Sequence, residues 1–234
     1  MAAVKILAVL LIVSSVFAEK LIKDNCKQGP GFDECIKKAV QDFFQNYSGG
    51  VPDKGVKPVD PFVIDHIEVH TEETGTKTHL TNLNVVGFKN VKVSEYHHDE
   101  AASKERFTLK FDFIAEGPAS LEFVSKGKHL SGTVKYNGGA TGIISYSYSL
   151  KKENGQDVYE IGPETIECQS QHVKSTPSDD LQKAFDSDPD AQAVKDKFEE
   201  VESGHEAEVV CKITKAVLKQ AVENLRVSAR QGDI

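Results

Sequence analysis

Tryptophan is absent from this 234-residue chain, and the only methionine is the first residue. Any apolar pocket must therefore be built from the 12 phenylalanines, the 6 tyrosines and aliphatic side chains. No apolar run reaches the ~18 residues that cross a bilayer as a helix, so membrane insertion is not expected. Basic charge is in deficit. Lys and Arg number 28 against 36 Asp and Glu, a net charge of −8, and every lysine cluster is interleaved with acids. A phosphate-binding face needs an unopposed basic stripe, so nucleic acid is not an expected partner.

Catalytic signatures are equally thin. There is no Gly-x-Ser-x-Gly elbow for a hydrolase nucleophile and no Cys-x-x-Cys spacing for structural zinc. His205-Glu206-Ala207-Glu208-Val209 opens like a zinc-protease helix, but the second histidine is missing. His97-His98-Asp99-Glu100 is a consecutive polar run and reads as a solvated turn. The expectation is a protein that is not an enzyme, with no metal site and no cofactor. With 39% hydrophobic and 27% charged residues the chain is too apolar for a disordered one.

The N-terminus reads as a targeting segment. Lys5 supplies a positive start, residues 6–13 an apolar core, and Val16-Phe17-Ala18 a small-residue cleavage site. Residues 1–18 are thus expected to be removed, leaving residues 19–234 as one secreted domain. In an oxidising compartment the four cysteines are expected to form two disulfides, for which three pairings exist. Cys26 and Cys35 flank the turn-rich Gly29-Pro30-Gly31, which leaves Cys168 and Cys211 as one of those possibilities.

Ile36, Ala39, Val40, Phe43, Phe44 and Tyr47 follow the three-and-four spacing of a helix face that ends at Gly49-Gly50. Asn46-Tyr47-Ser48 is a glycosylation sequon at that end, with Asn46 as acceptor. Pro52, Pro58 and Pro61 make an extended connector. From residue 62 to 168 the period becomes two. Phe107, Leu109, Phe111 and Phe113 mark one strand, Leu121 and Phe123 follow a turn at Gly117-Pro118, and residues 130–136 form a strand closed by Asn137-Gly138-Gly139. Ile144, Tyr146, Tyr148 and Leu150 share a face, and Asn154-Gly155 marks a hairpin. Residues 169–190 read as a polar loop with a short helix near 181–185, and Val194, Phe198 and Val201 as another short helix. Val210, Ile213, Val217, Ala221 and Leu225 then define a helix over residues 206–230, about 37 Å long. The fold class is α+β, with an antiparallel meander flanked by two amphipathic helices that can enclose an apolar cavity.

The order of these motifs resembles the takeout and juvenile hormone-binding protein superfamily of insects. The residues that carry the resemblance are the two early cysteines, Val59-Asp60-Pro61, and Leu83-Asn84-Val85-Val86-Gly87-Phe88. Tyr146-Ser147-Tyr148-Ser149-Leu150-Lys151, Pro163-Glu164-Thr165-Ile166-Glu167-Cys168 and Cys211-Lys212-Ile213 are similar to the haemolymph carriers of moths in particular. The resemblance implies a long C-terminal helix wrapped by a highly curved antiparallel sheet, a TULIP-like super-roll, with an apolar ligand tunnel. It implies the pairs Cys26–Cys35 and Cys168–Cys211, and a secreted, monomeric haemolymph carrier of juvenile hormone, a sesquiterpenoid methyl ester with an epoxide. Tyr146 matches the family tyrosine that hydrogen-bonds the epoxide. Tyr148, Ile144, Phe43, Val40, Val210, Ile213 and Val217 are the expected apolar lining. Rival readings are a takeout-like carrier of fatty acids or other terpenoids, and a secreted protein-interaction domain. The chain stops at Gln231-Gly232-Asp233-Ile234, sooner than family chains, and its first-cysteine loop is slightly longer. Both differences are expected to bear on gating.

Overall fold

The computed structural model describes Cys26, residues 29–153 and residues 156–231. The expected leader, the Asn154-Gly155 turn and residues 232–234 lie outside them. Helix α1 (Phe32–Tyr47) follows Gly31, whose φ of 89° suits glycine, and carries Asp33 and Glu34 in its first turn against the helix dipole. Strands β1 (Phe62–Thr71), β2 (Thr76–Val86), β3 (Lys92–Asp99), β4 (Lys104–Phe123), β5 (Lys128–Glu153) and β6 (Gln156–Pro177) come next. Helices α2 (Asp179–Ser187) and α3 (Pro189–Arg230) close the chain.

All six strands join one antiparallel sheet in the order β1-β2-β4-β5-β6, with β3 paired to β4. Because β4 is 20 residues long, it accommodates β3 along its first half and β2 along its second. The 26 residues of β5 extend to about 86 Å at ~3.3 Å per residue. The 42 residues of α3 span only about 63 Å at 1.5 Å rise. A strand longer than the helix it covers fits by coiling around it, and the normal twist of a sheet supplies that coil. One main core lies between the sheet, α1 and α3, and includes Phe44, Phe88, Leu109, Tyr146, Val210, Ile213 and Leu218.

Several expected breaks turn out to be continuous structure. Gly117-Pro118 is no turn, since β4 runs straight through it. Pro118 lies opposite the stretch where β2 slips register between Leu80 and Asn84, so its missing N–H removes no ladder bond. Asn137-Gly138-Gly139 is likewise internal to β5. A Cβ on Gly138 would sit 3.1 Å from Val210 Cγ2, and one on Gly142 only 2.4 Å from Leu218 Cδ1. These glycines make room for the helix. Residues 169–177 belong to β6, whose polar composition reflects an edge strand. His97, His98 and Asp99 are strand residues, and the turn begins at Glu100. The short helix expected near 181–185 is α2, capped by Ser178 Oγ accepting from the Leu181 N–H.

The expected helix over residues 206–230 and the short one before it are a single helix. Asp188 caps it by accepting from the N–H groups of Asp190 and Ala191 at 2.9 and 3.1 Å, with Pro189 in the first turn. Gly204 meets nothing within 4 Å of an added Cβ, so it is a helical residue without a packing role. Gly204→Ala is therefore expected to raise stability by about 0.5–1 kcal/mol through helix propensity. Gly142→Val should lower it by about 1–3 kcal/mol through overpacking. Urea unfolding measures both, and a destabilising Gly204→Ala would contradict a continuous helix there.

Candidate ligand-binding site

Tyr146 lies on β5 between Glu105 of β4 and Glu164 of β6 and is 6% exposed. Its ring is 6.1 Å from Phe107, which is 4.8 Å from Tyr96, which in turn is 6.3 Å from Phe32 of α1. An aromatic chain thus links the concave face of the sheet to the N-terminal helix. Among the described residues no group hydrogen-bonds the Tyr146 hydroxyl. Burial pushes its pKa well above the ordinary phenol value, the Glu105 charge adds to the rise, and Arg226 opposes it. The phenol is therefore a neutral donor throughout the physiological range.

Glu105 is an acid in a tyrosine-rich corner, 7% exposed. Its carboxylate accepts from the Tyr159 hydroxyl at 3.2 Å and lies 3.1 Å from His98 Nδ1. Tyr148 stacks between His98 and Tyr159, with ring centroids 5.6 and 5.0 Å away. Burial and then the Glu105 hydrogen bond push the Tyr96 pKa strongly upward. For Tyr159, burial leads, followed by Tyr146 and Glu105.

Arg226 of α3 secures the neighbouring end of β6. It donates to the carbonyls of Ile161 and Gly162 at 3.3 and 2.5 Å, to Glu223 at 2.5 Å, and to the Glu164 carboxylate. A cleft of about 660 Å³ opens beside this network, lined by Tyr148, Glu160, Pro163, Glu164, Lys219 and Arg226 among others. A second, of about 280 Å³, adjoins Tyr159, Ile161 and Arg226. Both are rimmed by charged groups rather than being the apolar tunnel that the resemblance implies.

Most of the expected lining does converge. Ile144, Val40, Val210, Ile213 and Val217 are buried in the same cluster as Tyr146. Phe43 is not brought there. It packs with Val56, Tyr47 and Val51 in a separate small cluster on the far side of α1, because neighbouring helical positions such as Phe43 and Phe44 point about 100° apart. Tyr148 is half-buried on the cleft rim, and Leu150, near the hairpin end, is 65% exposed. Asn46 is exposed on the last turn of α1. Both expected disulfides are formed, Cys26–Cys35 and Cys168–Cys211, the latter joining β6 to α3.

Tyr96, Glu105, Tyr159 and Arg226 were not singled out by sequence reasoning. The available signal was register, since Glu105 keeps the inward period of Phe107, Leu109, Phe111 and Phe113, where an acid is out of place. Asp60 and Gly87 illustrate the same limit. The Asp60 carboxylate accepts from the Gly87 and Lys89 N–H groups at 3.1 and 2.7 Å, which fastens two motifs 27 positions apart in sequence.

A curved antiparallel sheet laid around one long C-terminal helix defines the architecture, and it is shared with a solved structure. The crystal structure of Epiphyas postvittana Takeout 1 is similar with a TM-score of 0.66 at 17% identity, over 84% of this chain and 91% of that one. A family model described as haemolymph juvenile hormone binding protein matches residues 6–198. The Juvenile hormone-binding protein of Manduca sexta is 27% identical over 201 residues, 84% of this chain and 87% of that protein. The chain belongs to the haemolymph juvenile hormone binding protein family.

The Glu164–Arg226 pair gives a stability test near this site. Burial raises the Glu164 pKa, but hydrogen bonds from Arg226 outweigh it, and the net value lies below the ordinary 4.5. A depressed carboxylate contributes stability that is present above pH 4.5 and is lost as pH falls through the folded value. Glu164→Gln is expected to cost about 1 kcal/mol at pH 7, because Arg226 loses one charged partner but keeps Glu223 and the Ile161 and Gly162 carbonyls. The difference from wild type should shrink in acid. Urea unfolding at pH 7 and pH 3 measures this, and a gap independent of pH would show that the pair does not carry it.

Proposed function

We propose that this chain is a secreted haemolymph carrier that holds juvenile hormone, or a terpenoid close to it, between α3 and the concave face of the sheet. The observation that carries the reading is the Tyr146 phenol. The residue is 6% exposed, and its hydroxyl has no protein partner among the described residues; it lies among Phe107, Ile144 and the apolar face of α3. A hydroxyl that a bound ligand shuts off from water and leaves unpaired costs about 1–3 kcal/mol. An epoxide oxygen, which accepts and cannot donate, satisfies it. Family membership and the name of the Manduca sexta relative support the same ligand class.

In this reading Val40, Ile144, Val210, Ile213 and Val217 supply the apolar contact, and Tyr148 stands at the entrance. Phe43 acts indirectly, by seating α1. A ligand of about twenty heavy atoms at roughly 0.4 kcal/mol each gains about 8 kcal/mol, a micromolar to sub-micromolar dissociation constant. The protein acts as a monomer of one domain, residues 19–234, after loss of residues 1–18. Asn46, exposed on α1, carries a glycan. The two disulfides fit export to an oxidising compartment, and among the described residues no helix is long and apolar enough to cross a membrane. Binding and sequestration, rather than turnover, is the activity.

Native mass spectrometry of protein taken from haemolymph tests the ligand class. A retained epoxide terpenoid supports the reading, a retained fatty acid points to a takeout-like carrier, and a ligand-free mass with no lipid uptake points to a protein-interaction role. Tyr146→Phe tests the contact. It should weaken epoxide ligands two- to tenfold, matching about 0.5–1.5 kcal/mol for one hydrogen bond. An analogue lacking the epoxide should be nearly unaffected, and equal losses for the two ligands would return Tyr146 to a purely structural role.

A further inference from the structure

The outer face of the sheet, opposite α3, gathers histidines and acids from four strands. His66 and Glu68 lie on β1, and His79 of β2 stands directly across from Glu68. Glu122 of β4 is across from Lys77, and His129 of β5 across from Glu122. His79 is at the centre. Its Nε2 is 2.8 Å from Glu122 Oε2, and its Nδ1 is 3.5 Å from Glu68 Oε2. The His66 ring centroid is 5.8 Å from that of His79. One donor atom each from His66, Glu68 and His79 lies within 4.8 Å of the other two.

Hydrogen-bond bookkeeping shows what is lacking between them. An ionised carboxylate only accepts, so in a neutral His79 the proton sits on Nε2 and points at Glu122. Nδ1 then presents a lone pair toward Glu68 Oε2, which is also an acceptor. Two acceptors facing each other need either a proton on Nδ1 or a metal ion between them. Lys77 does not fill that position, because its Nζ lies 3.1 Å from Glu68 Oε1, the other oxygen. A carboxylate that orients a histidine through one ring nitrogen while the other faces a metal position is the usual outer support of a protein metal site. Two imidazoles and one carboxylate suit zinc and its first-row neighbours, whereas magnesium and calcium prefer all-oxygen surroundings.

We propose that His66, Glu68 and His79 bind a divalent transition cation, zinc in the first instance, with Glu122 as a positioning residue for His79. Solvent completes the coordination, because all three donors come from one side. The ion clamps β1 to β2 on the face opposite the helix. Scanning the sequence for short-range ligand spacing misses this site, since its donors come from two paired strands.

The test uses metal-stripped full-length protein titrated with zinc chloride at pH 7.5, followed by calorimetry and by NMR of histidine ring protons. The expected result is saturable binding of one equivalent, with ring shifts confined to His66 and His79 among the eight histidines. Glu122→Gln should weaken binding about 10- to 100-fold while leaving the same two rings responsive. His79→Gln should abolish the shift at His66, and magnesium should produce none. His172→Gln, which alters the pair of His172 with Asp112 at 3.6 Å, should change nothing. Circular dichroism confirms that each variant is folded. Non-saturating shifts, or shifts spread over exposed His97 and His172, would overturn the site, and a silent Glu122→Gln would overturn the positioning role.

Discussion

The close approach of α3 to β5 is the constraint on which the rest of this structure depends. Val210 and Leu218 sit over Gly138 and Gly142, positions at which an added methyl group would fall 3.1 and 2.4 Å from them. With side chains there, helix and strand would stand apart and the core formed by Val209, Val210, Ile213, Val217 and Leu218, all 0% exposed, would open. The strand is longer than the helix, so seating one against the other forces the sheet to curl. Along the outer edge of β4, whose 20 residues give the length, β2 and β3 lie end to end. The Cys168–Cys211 bond anchors β6 to the same helix.

Polar groups fix what apolar packing leaves adjustable. Asn224, 1% exposed on α3, donates to the Lys57 carbonyl at 2.7 Å and accepts from the Lys57 N–H at 3.0 Å, holding the proline-spaced connector against the helix. Arg226, two residues later, does the same for β6 through the Ile161 and Gly162 carbonyls. At the other end Asp188 and Asp190 pair with Lys128 at the β4–β5 hairpin. The helix is thus fastened near both ends by groups that specify its register. Between them lies the apolar surface that faces Tyr146 of β5, whose hydroxyl has no described protein partner.

How much of this was legible in the sequence varied with the kind of signal. Periodicity located α1, the strand of Phe107 to Phe113 and the C-terminal half of α3, because each has a single buried face. Glycine was misread at Gly138 and Gly117. A glycine admits either a turn or a close neighbour, and only the tertiary structure says which. The first half of α3 was read as loop and short helix because most of it faces solvent, although Asp188-Pro189 was a legible cap followed by a first-turn proline. Only the last stretch of β6, residues 169–177, reads as loop in the sequence, because an edge strand has no need of apolar residues on its outer side. In the site, Tyr146 and Ile144 were legible from alternation on β5. Glu105, Tyr159 and Arg226 were not, since their roles come from contacts 54 to 65 positions apart in sequence.

The account places the ligand against α3 and β5, and amide hydrogen exchange tests that directly. Protein would be compared with and without a saturating epoxide terpenoid. Added protection over residues 209–222 of α3 and around Tyr146 on β5 is the predicted result. Protection confined to the charged cleft at residues 160–164, with α3 unchanged, would contradict it.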